Sequence, residues 1–334
     1  MSNVTPAVLG LHHVTAIAAD PQRNVDFYVG VLGMRLVKKT VNFDDPGTYH
    51  LYYGDEHGRP GSLLTFFPWP GARRGRAGLG QVAVTQLAIP TGALGFWLER
   101  LTRLGVAHEG PVARFDEKVI TLADPDGMQL ELVAHERTAD LPGWDGVVPA
   151  AMSARGIHAA TLWVADAEAS ARVLVETLGH REVARDGTTV RHESGDGGPG
   201  TYVDLRATPG FLPGMGGAGT VHHVAFRAGT DDAEHALRAR IVDAGLHITE
   251  QVDRQYFRSM YFREPGHVLY ELATDAPGFA VDEPASSLGE SLRLPPQYES
   301  MRPELERSLV PLRVPRRDDG AFRIVASPVT GERA

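Results

Sequence analysis

The chain carries one structural pattern four times over, and a repeat of this length constrains the fold more than any single motif. Each copy reads as a strand, a helix that closes near a glycine, and then further strands. The helix exits are Leu32-Gly33, Leu104-Gly105, Leu178-Gly179 and Ala244-Gly245. A glycine just past a helix supplies the left-handed conformation that ends it, and each exit is followed by a short apolar run suited to a strand. The last strands of the second and fourth copies are announced by Asp124-Pro125-Asp126-Gly127 and Glu264-Pro265-Gly266-His267, sequences that form tight turns. The expectation is an α+β protein of four βαβββ modules pairing into two open, barrel-like sheets. Grouped in chain order, the modules give domains at 8–140 and 152–275, with a C-terminal arm at 276–334. Tyr298, Met301, Leu305 and Leu309 in that arm form a helical stripe that would pack on the body or on a second subunit. The glycine-rich stretches 70–80 and 195–200 read as flexible connections.

Two histidine pairs, His12-His13 and His222-His223, head the first strands of the first and fourth modules. Neighbouring side chains on a strand point to opposite faces, so one histidine of each pair faces a given pocket. Aligning the modules puts Gln86, Ala159 and His223 at the place of His13, with His158 at the place of His12. A slip of one residue would exchange the faces of a strand. Glu131 and Glu271 each follow the proline of their turn by the same spacing, so one repeated position carries a carboxylate twice. Only the first and fourth modules then supply a histidine in the slot, and the fourth also supplies a closing glutamate. Two neutral imidazoles and one carboxylate fill one face of an octahedron and leave the other open, the ligand set of non-haem Fe(II) oxygenases.

Composition narrows the chemistry. No cysteine occurs in the 334 residues, which excludes disulfides, thiolate nucleophiles and cysteine-held metal centres. The net charge of -9 offers no general attraction for nucleic acid or anionic membranes, and Arg73, Arg74 and Arg76 read as a solvated loop. Neither a long apolar run nor a leader pattern appears near Met1, so a cytoplasmic location is expected, without membrane or nucleic-acid partners.

Four such modules with this histidine and glutamate placement resemble the glyoxalase/vicinal oxygen chelate superfamily. The runs His12-His13-Val14-Thr15, Asn24 to Tyr28, Val37 to Asp44, Tyr49 to Tyr53 and Leu63 to Pro68 resemble its ring-cleaving dioxygenases of the hydroquinone 1,2-dioxygenase type, as do the fourth module and the Ser287-Leu288-Gly289 region. The resemblance implies His13, His223 and Glu271 as ligands of Fe(II), with Mn(II) admissible, and His12, Thr15, His222, Arg254 and Tyr261 as groups around them. It implies a hydroquinone-like or catechol-like aromatic and dioxygen as reactants, and leaves a homo-oligomer open. Thr15 lies two residues after His13 and shares its face. Tyr261 leads into the turn before Glu271, and a tight hairpin would set the two side by side. His50 and Tyr52 alternate onto one face as pocket lining or sheet packing.

Two other readings compete. A glyoxalase-type lyase would use four ligands, and Gln86, Glu131, His158 and Asp204 have the right types. Against it, the register turns His158 away, so one metal per chain is expected, with a neutral or paired partner such as Gln86 beside Glu131. A small-molecule-binding protein of the same fold would need a pocket and no metal.

Overall fold

The computed structural model describes residues 7–317, and the last part of the arm, 318–334, lies outside the described residues. The first module contributes β1 (Leu11–Ala18), β2 (Arg35–Val41), β3 (Tyr49–Gly54) and β4 (Leu63–Pro68). The second contributes β5 (Gln81–Ile89), β6 (His108–Arg114), β7 (Glu117–Ala123) and β8 (Gln129–Ala134). The third has β9 (Ile157–Val164), β10 (Arg181–Asp186), β11 (Thr189–Glu193) and β12 (Tyr202–Ala207). The fourth has β13 (Thr220–Gly229), β14 (Val252–Asp253), β15 (Arg258–Arg263) and β16 (Leu269–Thr274).

A helix follows the first strand of every module: α1 (Pro21–Val25), α2 (Leu94–Arg103), α3 (Ala167–Arg172) and α4 (Asp231–Asp243). Side chains begin three of them, because Asp20, Asp166 and Thr230 each accept from a backbone N–H of the first turn that has no partner inside the helix. Gly33, Gly105, Gly179 and Gly245 all take positive φ, between 69° and 82°, at the exits where the sequence requires it.

The strands form two eight-stranded sheets, ordered β14-β15-β16-β13-β1-β4-β3-β2 and β10-β11-β12-β9-β5-β8-β7-β6. In each module the last strand pairs parallel to the first, as the helical crossover between them demands. Modules then join through antiparallel first strands, β1 to β13 and β5 to β9. The first module thus shares a sheet with the fourth, and the second with the third. Strand β1 is buried along its whole length, as a central strand covered on both faces must be. The connection 70–80 is not a free loop: it is laced to 213–218 through bridges such as Arg76 with Met215 and Leu79 with Pro213, so two glycine-rich linkers order each other.

The arm packs on the body. Leu305 and Leu309 are buried, Tyr298 and Met301 lean on the core, and the Tyr298 hydroxyl donates to Phe43 O at 2.7 Å. A turn earlier in the arm, Asp282 and Glu283 enclose the ammonium of Lys38, a lysine with no exposed surface. Gly289 sits against β2 so closely that a Cβ there would lie 1.9 Å from Leu36 O, at a φ of +78° that side chains rarely adopt.

Helix α4 buries Glu234, whose Oε2 accepts from Gln251 Nε2 at 2.6 Å while Oε1 has no partner. Burial pushes its carboxyl up to about 7. Between pH 4.5 and 7 the unfolded chain ionises this group while the folded chain keeps its proton, so its contribution falls as pH rises. Glu234→Gln should therefore match the parent in melting temperature at pH 4.5 and exceed it at pH 8 by the equivalent of about 1–3 kcal/mol. A difference that does not change with pH would show that the carboxyl titrates normally.

Candidate metal centre

Extra residues in the central strands aim the histidines. Opposite β13, β1 carries one unmatched residue, His12, and opposite β1, β13 carries one unmatched residue, His222. Each is a β-bulge, which re-aims the side chains beside it. The following residues, His13 and His223, come together across the strand pair with their Nε2 atoms 3.2 Å apart. Glu271 Oε2, from β16, lies 2.8 Å from His223 Nε2 and 3.4 Å from His13 Nε2. All three side chains are buried, and among the described residues they are the one such group with metal-ligand geometry.

The preceding histidines set the tautomers. His12 Nδ1 lies 2.9 Å from His13 Nδ1, and His222 Nδ1 lies 2.7 Å from His223 Nδ1. His12 also bonds the Thr274 backbone, which takes its ring proton and leaves its Nδ1 to accept from His13. The Nε2 lone pair of His13 then points at the centre, and the same arrangement at the second pair directs that of His223. Burial and the neighbouring imidazole hold His12 down to about 3 and His222 down to about 4, so both stay neutral.

Glu271 Oε1 accepts from the Ser259 hydroxyl, whereas Oε2 receives no hydrogen bond. Burial works against the charge of this carboxylate, so it calls for a positive partner. With the tautomers set in this way, two imidazole lone pairs converge on a buried carboxylate oxygen, an arrangement that a bound cation would satisfy. Donors about 2.1 Å from one cation and at right angles to each other stand about 3.0 Å apart, and the three separations bracket that value.

Across the sheet the two modules form matching rungs. One runs Tyr261, Glu271, Ala225, His13, and the other runs Tyr52, Thr65, Thr15, His223. The place that Glu271 holds in the fourth module is held in the first by Thr65. A fourth protein ligand is thus absent where the pseudo-twofold would put it, and that side of the centre is open.

A cavity of about 260 Å³ covers this side, lined by the three candidate ligands, by Thr15, His50, Tyr52, His222, Arg254 and Tyr261, and by the rings of Phe43, Phe67, Trp69 and Phe257. Tyr261 pairs directly with Glu271, as the hairpin argument expects. Its hydroxyl accepts from Arg254 Nε at 3.2 Å, and Arg254 reaches Asp44 on the facing loop at 3.2 Å. Burial, and then the Glu271 charge, raise the Tyr261 phenol, which stays protonated. His12 does not line the cavity; it lies behind His13 against Phe257. Ser259, Thr65 and the bonding between His50 and Tyr52 carry no signature in the sequence.

The middle modules are wired differently. The third-module register agrees with expectation, His158 being the unmatched residue and Ala159 the one that follows it. The second is shifted by two: Ala83 is the unmatched residue, so Val84 matches His223 and Gln86 matches Ala225. Both slots are apolar. Glu131 is paired with the Arg114 guanidinium, not with Gln86, whose amide donates to Asp204 at 3.0 Å and to Thr161 at 2.9 Å. Arg191 donates to Asp204 at 2.8 and 2.9 Å and to Glu117 at 2.7 Å, and His158 lies 3.0 Å from Glu117. Guanidinium groups occupy the carboxylates that a second metal would need.

Comparison with known proteins agrees with this architecture. The family model described as Glyoxalase/Bleomycin resistance protein/Dioxygenase superfamily matches residues 10–132 and 156–272. The chain is 45% identical over 306 residues to "Putative ring-cleaving dioxygenase MhqO" of Bacillus subtilis (strain 168), covering 92% of this chain and 97% of that one. It is 34% identical over 318 residues to the chlorohydroquinone/hydroquinone 1,2-dioxygenase of Sphingobium indicum, covering 92% and 98%. A crystal structure of a "putative dioxygenase" from Bacillus subtilis superposes with a TM-score of 0.88 at 45% identity, covering 93% and 99%. Glyoxalase I from Zea mays shares the fold, with a TM-score of 0.61 at 17% identity over 80% and 92% of the two chains. With its four modules, its two eight-stranded sheets and these relatives, the chain belongs to the glyoxalase/vicinal oxygen chelate superfamily, among the ring-cleaving dioxygenases.

Proposed function

We propose that the protein is an Fe(II)-dependent dioxygenase that opens the ring of a hydroquinone-type aromatic. The observation that carries this reading is the open side of a two-histidine, one-glutamate centre facing a cavity walled by aromatic rings. A dry cavity of about 150 Å³ is enough for benzene, so 260 Å³ suits one substituted ring with dioxygen beside it. The relative from Sphingobium indicum is named for hydroquinones, and that name supports the substrate class.

His13, His223 and Glu271 would hold the ion, and Mn(II) suits the same donors. An ion held there would supply Lewis acidity and a template for the two reactants. The chain supplies the rest. Phe43, Phe67, Trp69 and Phe257 clamp the ring and exclude water. Arg254 and Tyr261 stand over the reacting side, where the protonated phenol donates a hydrogen bond or a proton to a developing negative oxygen. His222, neutral and at the cavity rim, accepts from His223 through Nδ1 and keeps its own proton on Nε2, where it donates a hydrogen bond to a bound oxygen. The lyase reading needs a fourth ligand, and Thr65 stands in its place.

Two measurements test the proposal. Purified protein reconstituted with Fe(II) should consume one dioxygen per hydroquinone and give a ring-opened product; hydroquinone surviving intact under oxygen would refute it. Tyr261→Phe should keep its iron and lose about 100- to 10,000-fold in turnover, the usual range for a general acid. Loss of the metal, or turnover equal to the parent, would remove Tyr261 from that role.

A further inference from the structure

The part of the cavity wall built by the first module holds a second polar assembly that the reaction as described leaves unused. His50 Nε2 lies 3.0 Å from Thr65 Oγ1, and His50 Nδ1 lies 2.8 Å from the Tyr52 hydroxyl. Thr65 Oγ1 is in turn 2.7 Å from Thr15 Oγ1. The result is one chain of hydrogen bonds, Thr15 to Thr65 to His50 to Tyr52, whose members Thr15, His50 and Tyr52 line the cavity. Tyr52 is 1% exposed and is fixed from behind by Phe279 of the arm, with ring centroids 5.1 Å apart. Phe279 stacks in turn on Tyr256, and Lys38 ties this part of the arm down through Phe279 O at 3.0 Å. A phenol held this firmly at both ends is a pre-organised binding group.

Its position follows from the pseudo-twofold. Thr65 marks the vacant fourth-ligand place, so the substrate oxygen that meets the ion comes in on the Thr65 side. Tyr52 lies further out by one imidazole ring and two hydrogen bonds. In either tautomer of His50, the Tyr52 hydroxyl spends one of its two roles on Nδ1 and keeps the other for the cavity. A ring hydroxyl donates and accepts, so it satisfies whichever role is left.

We propose that Tyr52, positioned by His50, receives the second hydroxyl of the substrate and thereby selects a 1,4-dihydroxybenzene. This rests on the reading of the site as a phenol-binding metal centre. A para hydroxyl points across the ring from the coordinated oxygen toward Tyr52. The second oxygen of a catechol stays beside the first, next to the ion, and phenol has no second hydroxyl. Both leave the second role of the Tyr52 hydroxyl unused, a cost that a site built for a hydroxyl imposes on ligands lacking it.

The test needs no turnover. Binding of hydroquinone, catechol and phenol to the metal-loaded protein is measured calorimetrically without oxygen. The parent should bind hydroquinone at least about tenfold more tightly than phenol. In Tyr52→Phe that ratio should collapse toward one while phenol affinity, metal content and melting temperature stay at parent values. His50→Leu should collapse it too, through a raised Kd for hydroquinone, and His50→Gln, which still bonds Tyr52, should restore part of it. A parent ratio near one, or a ratio that survives in Tyr52→Phe, overturns the proposal. Failure of the dioxygenase reading appears elsewhere, as a parent that binds hydroquinone with this preference and consumes no oxygen.

Discussion

His223→Ala should purify without bound iron and without oxygen uptake, yet fold as the parent does. The imidazole is one of three donors, and the pair left behind, His13 and Glu271, cannot hold a divalent ion against buffer. The substitution leaves the β1–β13 pairing intact because that pairing is made by the backbone. Metal analysis and thermal melts with and without chelator check the result together. A ligand that binds only the folded state stabilises it by about 2.7 kcal/mol at a hundred times its Kd. Chelation should therefore lower the melting temperature of the parent and leave that of His223→Ala unchanged. Stoichiometric iron in the variant would mean that the centre lies elsewhere.

Why this centre is legible in the sequence, while its surroundings are not, has a physical basis. A histidine doublet at a strand start is conspicuous because a bulge needs one extra residue, and both members are placed for use, the second toward the candidate metal centre and the first against its ring nitrogen. Glu271 is visible because the turn before it is set by Pro265. The four glycine exits are visible because only glycine takes their backbone conformation without strain. The joining of the first module to the fourth is different, since it depends on pairing between strands some two hundred residues apart that no local pattern encodes. The misplacement of Gln86 for Val84 has the same origin. A shift of two residues keeps every side chain on its face, so hydrophobic alternation does not detect it. Arg114 and Arg191 carry no local signal, and only the sheet reveals that Arg191 points inward. His50 and Tyr52 share a face by alternation, but their bonding to Thr65 depends on which strand lies alongside.

The second sheet should prove a structural counterweight to the first, with a charge network in place of an ion. Arg191 is 3% exposed, lies between the rings of Phe115 and Tyr202 at 4.2 and 4.6 Å, and neutralises Asp204 and Glu117. Burial pushes the Glu117 carboxyl up, but His158 and Arg191 outweigh it and hold the group down to about 2. Its contribution to stability is thus complete above pH 4.5 and is lost as pH falls toward 2. Arg191→Leu removes the cation and leaves the buried Asp204 and the half-buried Glu117 with only Gln86 and His158 as partners, which costs about 3–5 kcal/mol. For a chain of this size that corresponds to a fall of roughly five degrees in melting temperature. The parent should carry one iron per chain, and the variant should keep that iron, since the two centres lie in different sheets. A melting temperature within a degree of the parent would show that the network contributes little. A second metal equivalent in the parent would show that Glu131 and Asp204 bind an ion after all and return the four-ligand lyase to contention. If the second equivalent appears only once Arg191 is gone, the guanidinium is what keeps that site closed.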